Sequence, residues 1–451
     1  MMLKRCCFWF SAAVCLLLSS GVAQAQTETA LPKLASKRLM NDLQITVATT
    51  AEPSDRAAVA LVVRYGAAFD QEGKGGTAHL LSRMFMKKTV DRSAADIQAE
   101  LEFLGAQVDV RCDWDGFRFL LTVHRSSLER ALLLLYQVVG EAEFEEGDFE
   151  EARQSVLEEL QKSPDPRQRL YGQMEAALFA GTTYGRPLAG TVASVSALTI
   201  GDIRFFYRKF FSPGQAALEI VGPVDPEPLL QRATRIWGIW VRKDDVPFTF
   251  SQPARPAGRR ILVEDDPDSP AAQFIAGCLF PRREDAAYVN ALVAARILEG
   301  RLNRILPTSL LTVGGEGRRL ASPFTIQGQA AAEQAVGEIV QVLDAVEELK
   351  AEGVTPEELE AARRELVDDF RGRLGSLEGL AHILMDAELY RLGSNYPAYF
   401  LDRIARCDVA AVRKAAGDWI FPGGELLLVR GPQDALKTRL SVLGPCEALV
   451  P

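Results

Sequence analysis

Histidine is scarce in this chain: its 451 residues hold three, His79, His124 and His382. That bounds every metal-centre or general-base mechanism, because imidazole is the usual carrier of both. No excess of positive charge is present. Lys and Arg total 51 against 60 Asp and Glu, so a surface built to meet a nucleic-acid backbone is excluded. Cysteine is thin, with seven in all and no C-x-x-C pair, which removes zinc knuckles and thioredoxin-type sites. Past the first 25 residues no apolar run approaches the about 20 residues that span a bilayer. Low complexity is missing too. A hydrophobic content of 48% with 25% charge is ordinary for a globular protein, and the length suffices for at least two domains with large cores.

The apolar stretch that does exist is at the amino terminus. Lys4 and Arg5 precede a run over 6–20 that includes Phe8, Trp9, Phe10 and Leu16 to Leu18, and Ala23-Gln24-Ala25 has the A-x-A form of a cleavage site. Length, flanks and exit site predict a signal peptide over 1–25, with the mature chain starting at Gln26. The expectation is therefore an exported protein, periplasmic or secreted, with no membrane span after cleavage. Its charge without Lys4 and Arg5 is 49 basic against 60 acidic residues, a net −11. Four cysteines remain, Cys112, Cys278, Cys407 and Cys446. They allow three pairings, and the sequence does not choose among them. Cys112 and Cys278 lie in apolar strand-like runs and read as buried thiols.

The chain repeats itself. Residues 216–225 read Ala-Ala-Leu-Glu-Ile-Val-Gly-Pro-Val-Asp, and 425–434 read Glu-Leu-Leu-Leu-Val-Arg-Gly-Pro-Gln-Asp. Gly222 and Gly431 are 209 apart. Ala152-Arg153 and Ala362-Arg363 are 210 apart, and the strands beginning at Phe117 and Phe324 are 207 apart. An offset that holds over a hundred residues indicates two copies of one domain. Each copy mixes strands and helices. Ala57 to Tyr65 is a continuous apolar strand. Ser93 to Leu104 has helical spacing, a Ser cap and a Gly stop. Gln107 to Val123 alternates as a hairpin around Asp115-Gly116, and Leu128 to Val139 and Asp148 to Gln161 are further helices. Thr355-Pro356-Glu357-Glu358 is a capping box opening another. The expected organisation is an N-terminal domain over 26–242, a Pro-containing linker over 243–258 and a homologous domain over 259–451.

Gly75-Gly76-Thr77-Ala78-His79-Leu80-Leu81-Ser82-Arg83 resembles the Gly-x-x-His-x-x-Glu-His segment of the pitrilysin/insulinase-type metallopeptidases, in particular their short two-domain members such as the mitochondrial processing peptidase subunits. Tyr184-Gly185-Arg186-Pro187-Leu188-Ala189-Gly190 resembles that family's Tyr-Gly-x-Pro-x-x-Gly loop. Thr199 to Ile203 with Phe206-Tyr207, and Val221-Gly222-Pro223-Val224-Asp225, fit its last helix and strand. The resemblance covers nearly all of the mature chain. It implies an α+β fold: two homologous domains, each a mostly antiparallel sheet with helices on one face, together forming a half-shell. It also implies a zinc site made of two His and a distant Glu, with a Glu as general base. Here the first ligand position is His79, the base position is Ser82, the second His position is Arg83 and the distant Glu is Glu159, with Glu158 beside it. An acidic position upstream maps onto Ala152. The substrate-binding Arg and Tyr of the second domain map onto Pro307 and Gly314.

Ser82 accepts no proton near neutrality, and Arg83 is a permanent cation where a zinc ligand should stand. His124 and His382 do not replace what is lost. The resemblance alone implies a zinc peptidase; the residues at the motif imply a non-catalytic chain with no cofactor. The leading expectation is an exported subunit that pairs with an active zinc-bearing homologue to enclose a peptide-processing chamber. Two alternatives stand beside it: an active zinc endopeptidase with an unconventional site, or a homodimeric peptide-binding scaffold. Arg83 is further expected to replace the metal as the partner of Glu159, in a partly buried ion pair.

Overall fold

The computed structural model describes residues 31–51, 54–162, 164–244, 246–247, 250–309 and 311–449. The predicted signal peptide lies outside them. The first copy folds β1 (Lys33–Arg38), β2 (Gln44–Thr49), β3 (Arg56–Val63), β4 (Gln107–Cys112), β5 (Phe117–His124) and β6 (Ala216–Gly222) into one sheet, in the order β1-β2-β6-β3-β5-β4. The second folds β7 (Arg260–Asp265), β8 (Ala271–Phe280), β9 (Thr312–Gly315), β10 (Ser322–Ala331), β11 (Leu426–Gly431) and β12 (Cys446–Ala448) into another, in the order β12-β7-β11-β8-β10-β9. Five strands map one to one, β2 to β6 onto β7 to β11. Even the parallel pair recurs: β2 with β6, β7 with β11. The two Gly-Pro strands seen in the sequence are β6 and β11.

Local signals are honoured where the sequence carries them. The Ala94–Leu104 helix has a Ser93/Asp96 capping box and ends on Gly105 in the left-handed conformation. The Pro356–Leu374 helix opens on the Thr355/Glu358 box. The four cysteines are free; Cys278 is buried as expected, its thiol pushed up to about 12 by burial, whereas Cys112 is only half-buried, though its thiol is also raised.

After Arg56, strand β3 is apolar at every position because both of its faces are covered. Val59, Leu61 and Val63 point at the first copy's own helices, among them Leu128–Gly140, Ile200–Phe210 and Pro226–Trp237. Ala58, Ala60 and Val62 point the other way, into a cluster with Leu380, Ala381 and Leu384. Those belong to the Leu377–Leu389 helix of the second copy, which lies across β3 and β6. The arrangement is reciprocal. The Pro166–Leu178 helix of the first copy lies across β8 and β11, burying Leu170, Met174 and Leu178 against Ile275, Leu279 and Leu428. A side chain at Gly277 would meet the Met174 sulfur at 2.6 Å, so that close approach requires glycine. The two exchanged helices start at residues 166 and 377, in step with the repeat. Helices on one face, as expected, are therefore completed by one borrowed helix on the other.

The seam between the copies is rich in arginine. Arg64 bonds Glu388 at 2.9 Å, and Arg318 with Glu175 (2.7 Å) and Arg169 with Glu264 (3.0 Å) form ion pairs. Arg319 donates to the carbonyls of Arg64 and Asp115, both at 3.0 Å.

Candidate functional site

Two of the sequence motifs turn out to be the two sides of one contact. The Thr77–Met84 helix, which carries His79, Ser82 and Arg83, starts from Gly76 at φ +94°. A β-carbon there would lie 2.7 Å from the carbonyl of Ala189, and one at Gly190 (φ +77°) would lie 2.4 Å from that of Gly75. Only glycine satisfies both the conformation and the approach. The helix start is held by Asp70, whose carboxylate accepts from the N–H groups of Gly76 (2.8 Å) and Ala78 (3.0 Å). Burial pushes the Asp70 carboxyl up to about 7, against the pull of those N–H groups. Arg186 donates to the Asp70 carbonyl at 3.1 Å, Trp114 donates to the Arg186 carbonyl at 3.2 Å, and the buried Tyr184 hydroxyl bonds Asp115. Thus the Tyr-Gly-Arg-Pro loop positions the helix and the β4–β5 turn together.

The framework is intact; what it displays is changed. Arg83 Nη2 lies 2.9 Å from Glu159 Oε2, joining the Thr77–Met84 helix to the Glu146–Gln161 helix. The expected pairing forms, but not its expected burial: the two side chains are 45% and 43% exposed. A pair so wetted contributes about 0–1 kcal/mol, not the larger amount of a buried one. The Ser82 hydroxyl donates to the His79 carbonyl at 2.6 Å, turned back on its own helix. His79 Nε2 is buried with no hydrogen-bond partner. Burial, then the Arg83 charge, lowers the imidazole's pKa, opposed by Glu159, so His79 is neutral at pH 7. Glu158 accepts from Gln154 at 3.1 Å, and Ala152 is buried.

Zinc does not fit these residues. The donor set is one imidazole nitrogen and one carboxylate, and that carboxylate already holds a guanidinium. Nothing nearby supplements it: His124 caps the end of β5 beside Ser126, and His382 sits on the Leu377–Leu389 helix at the seam. Among the described residues no group of three or more His, Cys, Asp or Glu is placed to hold a metal ion. Pro307 follows the Tyr288–Ile305 helix and Gly314 lies on the edge strand β9, so neither supplies a side chain to a substrate.

The second copy reproduces the ion pair, a feature not read from the sequence. Arg296 on the Tyr288–Ile305 helix bonds Asp369 on the Pro356–Leu374 helix at 2.7 Å. Asp369 follows Glu159 by 210 residues, the offset that relates Ala152-Arg153 to Ala362-Arg363. That offset was the available signal. It marks the acidic partner, while Arg296 comes from a longer helix whose register against Thr77–Met84 is not apparent before folding.

Comparisons with known proteins agree with this geometry. The family model described as insulinase (peptidase family M16) matches residues 46–192, and the one described as peptidase M16 inactive domain matches 197–366. A probable mitochondrial-processing peptidase subunit beta of Arabidopsis thaliana is 25% identical over 250 residues, 54% of this chain and 46% of the relative. An uncharacterized zinc protease of Mycobacterium leprae is 30% identical over 175 residues, 39% of each. The human cytochrome b-c1 complex subunit 1 is 23% identical over 252 residues, 55% of this chain and 52% of the relative. The chain thus spans about half the length, or less, of these curated relatives. A protease from Helicobacter pylori superimposes with a TM-score of 0.81 at 18% identity, covering 89% of this chain and all of that one. A peptidase M16 inactive domain from Pseudomonas fluorescens gives 0.80 at 19%, over 89% and 98%. At those identities the likeness is one of fold.

Proposed function

The chain belongs to the insulinase peptidase family M16, and we propose that within it this protein is an exported, non-catalytic subunit that pairs with an active, zinc-bearing homologue. The observation that carries the reading is the Arg83 guanidinium held on Glu159 where a second zinc ligand would stand, with Ser82 in place of the general base. Two further facts support it. The glycine and tyrosine scaffold around the helix start is retained although the chemistry is not, which is what a partner surface needs and a lost enzyme does not. Relatives named as a processing-peptidase subunit and as a cytochrome b-c1 complex subunit are, by those names, parts of assemblies. In this role the protein completes a chamber, binds extended peptide and leaves hydrolysis to its partner. Export rests on the signal-peptide pattern of residues 1–25.

Two measurements test the reading. The purified chain without its leader retains no stoichiometric zinc after dialysis, by elemental analysis, and shows no chelator-sensitive cleavage of an unfolded peptide. Captured from its native envelope, it brings down a homologue carrying an intact His-x-x-Glu-His segment. Bound zinc with proteolysis overturns the non-catalytic role. A homodimer with no such homologue overturns the pairing. The pair Ser82→Glu with Arg83→His serves as a positive control, since it presents His79, a second imidazole and a freed Glu159, and gains zinc.

A further inference from the structure

Between the two copies lies a cavity of about 550 Å³, within the size range of small-ligand sites. Three of its guanidinium groups differ in how they are satisfied. Arg118 is held by Asp113 and by Asp386, the latter at 3.1 Å. Arg318 forms an ion pair with Glu175 at 2.7 Å, without hydrogen-bond alignment at its Nη1, and lies 4.6 Å over the Trp114 ring. Arg283 has no carboxylate within 4.0 Å among the described residues. Its side chain donates to the Tyr288 hydroxyl and sits beside the rings of Tyr288 (4.6 Å), Tyr396 (5.4 Å) and Phe400 (6.0 Å). Arg373, also on the wall, is in no ion pair among the described residues. A guanidinium stays charged at any physiological pH and offers five N–H donors in a planar fork. With a single neutral acceptor, the Arg283 guanidinium keeps N–H donors for a ligand.

We infer that this cavity binds the C-terminal carboxylate of a short peptide, with Arg283 as its bidentate partner and Arg373 in support. Such a pair is the geometry that a guanidinium fork and a carboxylate share. The walls set the charge of the ligand. Asp113, Asp115, Glu316 and Asp386 also line the cavity, so a dianion such as phosphate meets about twice the repulsion that a single carboxylate does. They also suggest a peptide over a bare acid: Arg111-Cys112 and Gly315, from the outer strands β4 and β9, open on the cavity. Those strands leave main-chain groups without a strand neighbour for the ligand's backbone. Trp114, Tyr288 and Tyr390 give its last side chain aromatic surface. The inference rests on the peptide-binding part of the function proposed above and is independent of the pairing.

Isothermal titration of the full chain without its leader tests it, using N-acetyl-Ala-Leu-Phe as the free acid, the same peptide as its C-terminal amide, and inorganic phosphate. The acid is expected to bind at least about tenfold more tightly than the amide, a difference of about 1.4 kcal/mol, with phosphate giving no heat and no competition. Arg283→Met should erase the preference for the acid. Because that side chain packs among aromatic rings, its thermal melt is recorded alongside. Arg373→Ala, at an exposed position, should weaken the acid a few-fold and leave the amide unchanged. Equal binding of acid and amide, equal binding of phosphate, or no binding of either peptide at millimolar concentration overturns the site. Co-purification of the homologue is read separately on Arg283→Met. Loss of acid preference with pairing intact supports the site, and failure of pairing with acid preference intact removes only the earlier reading.

Discussion

The two copies agree in their interiors and differ at one edge. Five strands, the parallel pair and the borrowed helix recur in both. The sixth strand does not. In the first sheet it is β1, which precedes β2 and runs antiparallel to it; in the second it is β12, which comes from the far end of the chain and runs parallel to β7. What must be identical is therefore the part that faces the other copy, whereas the outer edge only has to be covered. The helix pairs agree as well. Arg83–Glu159 and Arg296–Asp369 cross the same helix–helix contact in each half. Both halves thus carry the same kind of cross-helix pair at corresponding places.

The borrowed helices give the comparison its hardest test. Leu380 and Met174, one from each exchanged helix, are both fully buried. Leu380→Ala and Met174→Ala should each lower unfolding free energy by about 2–5 kcal/mol in urea titrations. If one costs much less than the other, the exchange is not an equal one.

A smaller effect concerns the sheet centres. Glu219 on β6 is buried, whereas the matching position on β11 is Leu428. Burial, then the nearby Glu388 charge, raises the Glu219 pKa well above its usual value, with the Thr46 hydroxyl and then Arg64 pulling the other way. A carboxyl whose folded pKa is raised favours the fold most at low pH. That contribution is lost as pH rises from the unfolded value, about 4.5, through the folded one. Glu219→Leu, which makes the first sheet like the second, should stabilise by about 1–3 kcal/mol at pH 8. The gain should shrink toward pH 4.5, as thermal melts across that range would show. A gain independent of pH would mean that the carboxyl is not the cause.

The ion pairs should give the smallest effect. Double-mutant cycles on Arg83/Glu159 and on Arg296/Asp369 should each yield a coupling of about 0.2–1 kcal/mol, as expected for exposed pairs. Both couplings should fall in 1 M salt. A coupling above 2 kcal/mol at Arg83/Glu159 alone would separate the two halves again.

The duplication, the hairpin around Asp115-Gly116 and the capped helices were legible because each rests on local spacing or on a near-constant offset. The changed positions Ser82 and Arg83 were legible for a different reason: they share one linear segment with His79. The borrowed helices were not. Leu170, Met174 and Leu178 show the same helical spacing whether they cover their own sheet or another, and periodicity does not say which partner receives the face. The degree of exposure of Arg83–Glu159 was not legible on the same ground, since burial depends on neighbours distant in the chain. Arg283 carried no signal at all. One arginine of an Arg-Arg pair after a strand is ordinary until Tyr288, Tyr396 and Phe400 close around it.

The exchange of helices also orders events in time. The face formed by Ala58, Ala60 and Val62 stays bare until residues 377–389 have been made and delivered. The first half therefore does not finish its interior as it emerges, although nearly all of its own chain precedes the second half. Contacts this distant in sequence slow the search for the native state and leave apolar surface uncovered meanwhile.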